Sequence, residues 1–257
     1  MKEAGRTTVL SSSWRYIWRS TPLDLDANSL VLGGGGGYGP DEDRKMVSRV
    51  SQVITSHEGP FRSVHLNSKA MRYQTSKLRE WFQALATKRV QDLVFVNRWS
   101  LVFISLPEEI LRCTSLVRLY VAVCNLPYTG GHDVRFPELL DLGLCSAGLC
   151  EVDFDRVLTG SPKLEKLAFI SGHVALTPID LVCPSLRCVV FWHAVPSHEL
   201  AMVDAPCLER VILWEEDAYR LVPCKIKIGC APVLRAIGYL NPILHVLQIG
   251  DQLITFF

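Results

Sequence analysis

The sequence predicts an α/β solenoid, a curved parallel β-sheet with helices or irregular turns on its outer side. Three observations lead there. An apolar template at positions i, i+3 and i+5 recurs eight times, successive starts lie 22 to 29 residues apart, and five of the eight carry a proline two residues ahead of the first position. The matches are Phe61-Val64-Leu66, Val90-Leu93-Phe95, Leu116-Leu119-Val121, Leu139-Leu142-Leu144, Leu164-Leu167-Phe169, Leu186-Val189-Phe191, Leu208-Val211-Leu213 and Leu234-Ile237-Tyr239. The third extends to Leu116-x-x-Leu119-x-Val121-x-x-Cys124-x-Leu126, the full cysteine-type pattern of a leucine-rich repeat. The prolines are Pro137, Pro162, Pro184, Pro206 and Pro232, each with a fixed φ that ends the preceding segment just before a strand. Such units bury their leucines only against their neighbours, which is why they come in series.

Taken in order, the chain opens with a helical stretch from Val9 to Arg19 that places Leu10, Trp14, Ile17 and Trp18 on one stripe, ended by Ser20-Thr21-Pro22. Leu23-Asp24-Leu25-Asp26 alternates as a short strand, with the two carboxylates at a solvated edge. Gly33–Gly37 with Tyr38-Gly39-Pro40 is expected to be a flexible linker. An amphipathic helix follows, with Met46, Val47, Val50, Val53 and Ile54 on one face, stopped by Gly59-Pro60. Between repeat strands, Lys77–Thr87 carries Leu78, Trp81, Phe82 and Leu85 at helical spacing, and Pro107–Arg112 and Asp153–Leu158 are shorter helical candidates. Near the end, Leu244-x-x-Leu247-x-Ile249 follows the last repeat too closely to be another. Gly250-Asp251 then predicts a terminal hairpin that caps the solenoid. The apolar end Thr255-Phe256-Phe257 has no polar capping unit and predicts a further segment beyond it. The expected division is 1–32 as an N-terminal helical unit, 33–40 as the linker and 41–257 as the repeat domain.

Composition excludes several functions. At 49% apolar and 21% charged residues the chain can bury a substantial core, and a formal net charge of +1 with no basic stripe argues against nucleic acid. No apolar run approaches the length of a membrane span, and the first residues lead into no signal-peptide core, so a soluble protein of the cytoplasm or nucleus is expected. Nine cysteines include no Cys-x-x-Cys, so they are expected to be soft core residues rather than metal ligands. Gly34-x-Gly36-x-x-Gly39 formally matches a dinucleotide fingerprint. However, Asp41-Glu42-Asp43 would place three carboxylates where phosphates need a positive helix end, and no Gly-Lys-Ser/Thr follows. His57-Glu58 and His198-Glu199 lack the second histidine of a zinc-protease helix, and there is no Gly-x-Ser-x-Gly. No catalytic residue, cofactor or metal is expected.

Binding is expected on the concave face. If i+3 and i+5 point into the core, alternation sends i+2, i+4 and i+6 outward. Those columns place Arg118, Lys166 and Arg210 at i+2, Tyr120, Val190 and Ile212 at i+4, and Ile170, Trp192 and Trp214 at i+6. Leu240 extends the last row. The nine residues ahead of it make an apolar strip with a basic margin, the pattern of a partner site.

Gly5-Arg6-Thr7-Thr8-Val9-Leu10-Ser11 with Trp14-Arg15-Tyr16-Ile17-Trp18-Arg19 resembles the second half of a plant F-box. Arg112–Tyr120, Asp204–Arg210 and Gly229–Leu240 resemble the repeats of plant F-box/leucine-rich-repeat proteins, especially the FBD-type group, so the resemblance covers nearly the whole chain. It implies the substrate-recognition subunit of an SCF-type E3 ubiquitin ligase, with the F-box on a Skp adaptor through Leu10, Trp14, Ile17 and Trp18, and the repeats on a target protein. Two features depart from the family: the Leu-Pro-led helix that opens an F-box would precede this chain's first residue, and Ser12-Ser13 stand where a basic pair is usual. Half an F-box leaves a second reading open, a protein-interaction scaffold that has lost its adaptor, with Trp14 and Trp18 packing their helix onto the first repeat.

Overall fold

A computed structural model describes residues 16–17, 19–30, 40–68, 75–98, 103–130, 133–170, 179–193, 199–214, 224–241 and 243–254. Each of the five proline repeats opens on a β-turn. The N–H of the first template residue closes it: Leu139 donates to Phe136 O, Leu164 to Ser161 O, Leu186 to Cys183 O, Leu208 to Ala205 O and Leu234 to Ala231 O, at 3.0–3.2 Å. Proline stands at the second position of each turn, where its fixed φ is the one the turn requires. The next residue bonds backward to the same position of the preceding repeat, in the series Leu140 N–H to Val117 O, Glu165 to Leu140, Arg187 to Glu165, Glu209 to Arg187 and Arg235 to Glu209. Turn and strand registers are therefore set together, repeat by repeat.

The strands so aligned are β1 (Leu23–Asp26), β2 (Phe61–Ser68), β3 (Asp92–Asn97), β4 (Ile104–Ser105), β5 (Arg118–Asn125), β6 (Asp141–Gly148), β7 (Lys166–Ile170), β9 (Cys188–Trp192), β11 (Arg210–Trp214) and β13 (Ala236–Gly238). The ten form one parallel sheet in the order β1-β2-β3-β5-β6-β7-β9-β11-β13, with β4 alongside β5. Equal template positions face each other, for example Leu142 with Leu167, Val189 and Val211 with their neighbours, and Trp192 with Trp214. The chain is thus a leucine-rich-repeat α/β solenoid.

On the buried side of the sheet, α1 (Pro40–Ser56) starts with proline and three acids in its first turn, favourable at a helix N-terminus. Its Met46, Val47, Val50 and Ile54 are buried, and Val53 packs at the margin. In α2 (Thr75–Thr87), Leu78, Trp81, Phe82 and Leu85 are all buried, and Trp81 Nε1–H donates to Ser51 Oγ of α1 at 2.9 Å. A 3-10 turn at Glu108–Arg112 and α3 (Glu151–Thr159) continue the layer. The i+5 column supplies its aromatic members, Phe95, Phe169 and Phe191. Phe154 of α3 meets Phe169 edge-on at 5.5 Å, and Phe169 stacks on Phe191 at 5.0 Å.

Beyond α3 the outer layer changes from helix to sheet. Strands β8 (Ile179–Val182), β10 (Glu199–Asp204), β12 (Cys224–Cys230), β14 (His245–Ile249) and β15 (Gln252–Ile254) make a second, five-stranded sheet in the order β15-β14-β12-β10-β8. Ile179 and Leu181, Leu200 and Met202, and Ile226 and Ile228 alternate into the core. Helices or irregular turns were the expectation along the whole length. Here the connections alternate with period two, and at 22 residues the repeats starting at Leu164 and Leu186 leave little room for a helix.

Within the segment expected as a separate unit at 1–32, β1 pairs in parallel with β2 and buries Leu23 and Leu25 in the common core. The expected terminal hairpin forms across Gly250, whose φ of +56° suits a residue without a side chain, and joins β14 to β15 antiparallel. It extends the second sheet rather than covering β13 at the end of the first, because Leu247 and its strand neighbours turn toward the core between the sheets. Of the linker expected at 33–40, residues 33–39 lie outside the described residues, and Pro40 is the first residue of α1.

At the end of α3 the packing tolerates no side chain. A Cβ on Gly160 would stand 2.1 Å from the carbonyl oxygen of Val134, a backbone atom that has no rotamer to move away. Gly160→Ala is expected to displace the 133–136 segment and cost about 1–3 kcal/mol, the range for overpacking. Urea unfolding followed by circular dichroism measures this, and an unmoved midpoint would contradict it.

Candidate functional site

The face of the ten-stranded sheet turned away from the helices and the second sheet is open, and it carries the predicted columns. Arg118, Lys166 and Arg210 are exposed, Val190 and Ile212 are half-buried between strands, and Tyr120, Ile170 and Trp192 are exposed, with Trp214 half-buried beside Trp192. These nine residues therefore share one surface, though not one environment.

Toward β1 the surface is polar and internally paired. Arg62 Nε–H donates to Asp24 Oδ1 at 2.9 Å, and its Nη2 bonds Oδ2 of the same carboxylate. Arg118 grips Asp92 in the same two-pronged way, with Nε–H to Oδ1 at 3.0 Å and Nη2 to Oδ2. Such bidentate pairs have the geometry that makes arginine–carboxylate contacts specific. With Asp26, His65 and Tyr120 they line a hollow of about 690 Å³. The Arg62 guanidinium holds the Asp24 carboxyl below the usual carboxylate range. Arg118 was expected to stand with Lys166 and Arg210 as a basic margin; its charge is spent on Asp92.

Tyr120 divides the surface. Its ring lies across β6, so that a Cβ on Gly143 would be 2.2 Å from the ring edge, and its hydroxyl donates to Asp141 Oδ2 at 2.6 Å. Burial and that hydrogen bond push the phenol up to about 12. Only glycine at 143 leaves room for the ring.

Toward β13 the surface is aromatic. Trp192 and Trp214 face each other in register on β9 and β11, and their rings stack at 5.2 Å and 15°. Tyr239 meets Trp214 edge-on at 5.0 Å and 78°, so the row has three aromatic members, with Ile170 beyond Trp192 on β7. Tyr239 was assigned inward and Leu240 outward by simple alternation. The structure reverses them: Tyr239 has φ +59° just past the end of β13, so it turns out to 63% exposure, while Leu240 packs against the core. A left-handed non-glycine residue is uncommon, and nothing in residue type at 239 signals it. Lys166 and Arg210 border this half with no ion pair or side-chain hydrogen bond among the described residues. Between them sits Cys188, its thiol pushed up by burial and drawn back by Arg210 and Lys166.

Of the four N-terminal candidates, Leu10, Trp14 and Trp18 lie outside the described residues. Ile17 belongs to a helical turn whose carbonyl accepts from Thr21 N–H at 2.9 Å, and its side chain is exposed beside an exposed Tyr16. Among the described residues no three His, Cys, Asp or Glu side chains gather as a metal site, and no helix is long and apolar enough to cross a membrane.

Residues 78–256 match a family model described as FBD-associated F-box protein At5g56370, LRR repeats. A putative FBD-associated F-box protein of Arabidopsis thaliana, At5g56440, is 28% identical over 217 residues, covering 80% of this chain and 48% of that protein. The F-box/FBD/LRR-repeat protein At1g51370 of the same plant is 30% identical over 178 residues, covering 66% and 36% respectively. The F-box/FBD/LRR-repeat protein At1g13570, also from Arabidopsis thaliana, is 24% identical over 270 residues, covering 98% and 60%. The chain thus spans between about a third and three fifths of these relatives' own lengths. No solved structure matches.

Proposed function

The chain belongs to the FBD-associated F-box family with leucine-rich repeats, and from that premise we propose that it is the target-recognition part of an SCF-type ubiquitin ligase. The repeats are a protein-interaction module of the F-box type, and the open face of the sheet is where the target docks. One observation carries the reading. Trp192, Trp214 and Tyr239 form a continuous aromatic row on the open side of a sheet whose other side is already filled. Aromatic side chains so placed are the residues most enriched among the energetic centres of protein interfaces. The N-terminal helical segment, with Tyr16 and Ile17 exposed, is assigned to a Skp-type adaptor.

Co-purification tests the adaptor half. The chain and a Skp adaptor are co-expressed, and retention of the adaptor on the tagged chain is expected. Ile17→Asp, which puts a charge on an exposed apolar position, is expected to release the adaptor with no change in the melting temperature. Absence of the adaptor from the intact chain, with target capture on the sheet preserved, favours the interaction-scaffold reading instead.

A further inference from the structure

Resting on target capture by the open face, the structure also points to the kind of segment captured. The half of the face beyond Tyr120 has two parallel margins. One is the aromatic row at Trp192, Trp214 and Tyr239. The other is the pair Lys166 and Arg210, which stand two strands apart, about 10 Å at ordinary strand spacing. Arg210 lies in register between Cys188 and Ala236, with no charge on either side. Lys166 has Asp141 beside it in register on β6, but no ion pair joins the two among the described residues. Asp141 accepts from the Tyr120 hydroxyl, Glu209 is bound by Arg187, and Glu165 makes no ion pair with either cation. Arg62 and Arg118, nearer β1, are held in bidentate pairs, whereas Lys166 and Arg210 make no ion pair among the described residues. Between the margins the floor is apolar, with Val190 and Ile212 half-buried.

Along each strand the two margins are four residues apart, about 13 Å. We infer that this half of the face binds an extended acidic–aromatic segment of a partner protein: a carboxylate against Arg210 and Lys166 and, about four residues away, a large apolar or aromatic side chain against the Trp192–Trp214–Tyr239 row. Charge complementarity selects the acid, and the stacked indoles select a flat or bulky apolar group. A segment with a basic residue at the first position is repelled by two unpaired cations.

A phage-displayed library of random short peptides, panned on the whole chain, tests this. Enriched peptides are expected to carry Asp or Glu about four positions from Trp, Phe, Tyr or Leu. A synthetic copy is expected to lose about tenfold or more in affinity to Arg210→Glu, and as much to Trp192→Ala. Its binding should also weaken as salt is raised, since exposed charge pairs are screened. Melting curves of both variants check that they remain folded, and Arg210→Ala serves if the charge reversal does not. Enriched peptides that lack acids, or that ignore Arg210→Glu while depending on Trp192, overturn the acidic partner and leave target capture standing. Peptides that ignore both variants overturn capture on this face as well. If no peptide is enriched, the extended-segment proposal fails, and capture of a folded target is then judged separately by the tryptophan variants.

Discussion

Phe191→Ala is expected to cost about 3–5 kcal/mol of stability, the usual range for removing a buried aromatic ring. The side chain is fully buried, stacks on Phe169 at 5.0 Å with ring planes 13° apart, and stands in the i+5 column between β7 and β11. Through Phe169 it reaches Phe154 of α3, so the vacated volume opens a seam across three elements. A domain of this kind has about 5–15 kcal/mol in total, so the loss is a large part of it. In a solenoid each repeat is held only by its neighbours, and the damage is expected to spread to the repeats after β9. Urea unfolding by far-ultraviolet circular dichroism measures it. A midpoint shift equivalent to less than about 1 kcal/mol would place the ring outside the working core, since large losses come from cavities and not from surface truncation.

The next residue in the chain gives the opposite expectation. Trp192→Ala combined with Trp214→Ala should leave a cooperative fold and remove binding, because Trp192 is 41% exposed and the two indoles stack on each other on the open face, with Tyr239 edge-on to Trp214. The stack contributes about 0.5–1.5 kcal/mol beyond the area the rings cover, and the expected loss of stability is smaller than that of Phe191→Ala. Truncating a tryptophan at the centre of an interface costs about 2 kcal/mol or more, so capture of a target or selected peptide should weaken by more than tenfold. Paired measurements on one sample decide it: the urea midpoint and the dissociation constant. Aggregation, or a midpoint loss as large as that of Phe191→Ala, would assign the tryptophans to packing. A double variant that binds as tightly as the native chain would remove the aromatic row from the recognition surface.

Neighbouring positions 191 and 192 thus carry the largest stability effect and the largest binding effect, and alternation along a strand is the reason. That alternation is legible in the amino-acid sequence. Eight recurrences of one apolar spacing placed nearly every strand of the first sheet, and the proline offset placed the turns that open five of them. Because strands of successive repeats lie in equal register, the pairing of Trp192 with Trp214 follows from counting alone.

Counting stops where an interaction depends on what comes alongside from a distant part of the chain. β1 joins the sheet 38 residues before its partner Arg62, across a glycine-rich stretch, and four residues are too few to declare a partner. The strands of the second sheet run from three to seven residues, and each becomes a strand only because another lies beside it to take its hydrogen bonds. Charges behave the same way. Charge sign and repeat position make Arg118, Lys166 and Arg210 equivalent; Arg118 and Lys166 each have an aspartate in register on the preceding strand, but Asp92 grips Arg118 whereas Asp141 accepts from Tyr120. The outward turn of Tyr239 is set by a left-handed backbone at the end of β13, which no residue preference announces. The sequence by itself therefore determined the repeat, the core column and the aromatic pair, because a periodic local pattern specifies which way each side chain points. The second sheet, the entry of β1, the third aromatic and the location of free charge were decided by the tertiary structure, because each depends on a neighbour that the local pattern does not contain.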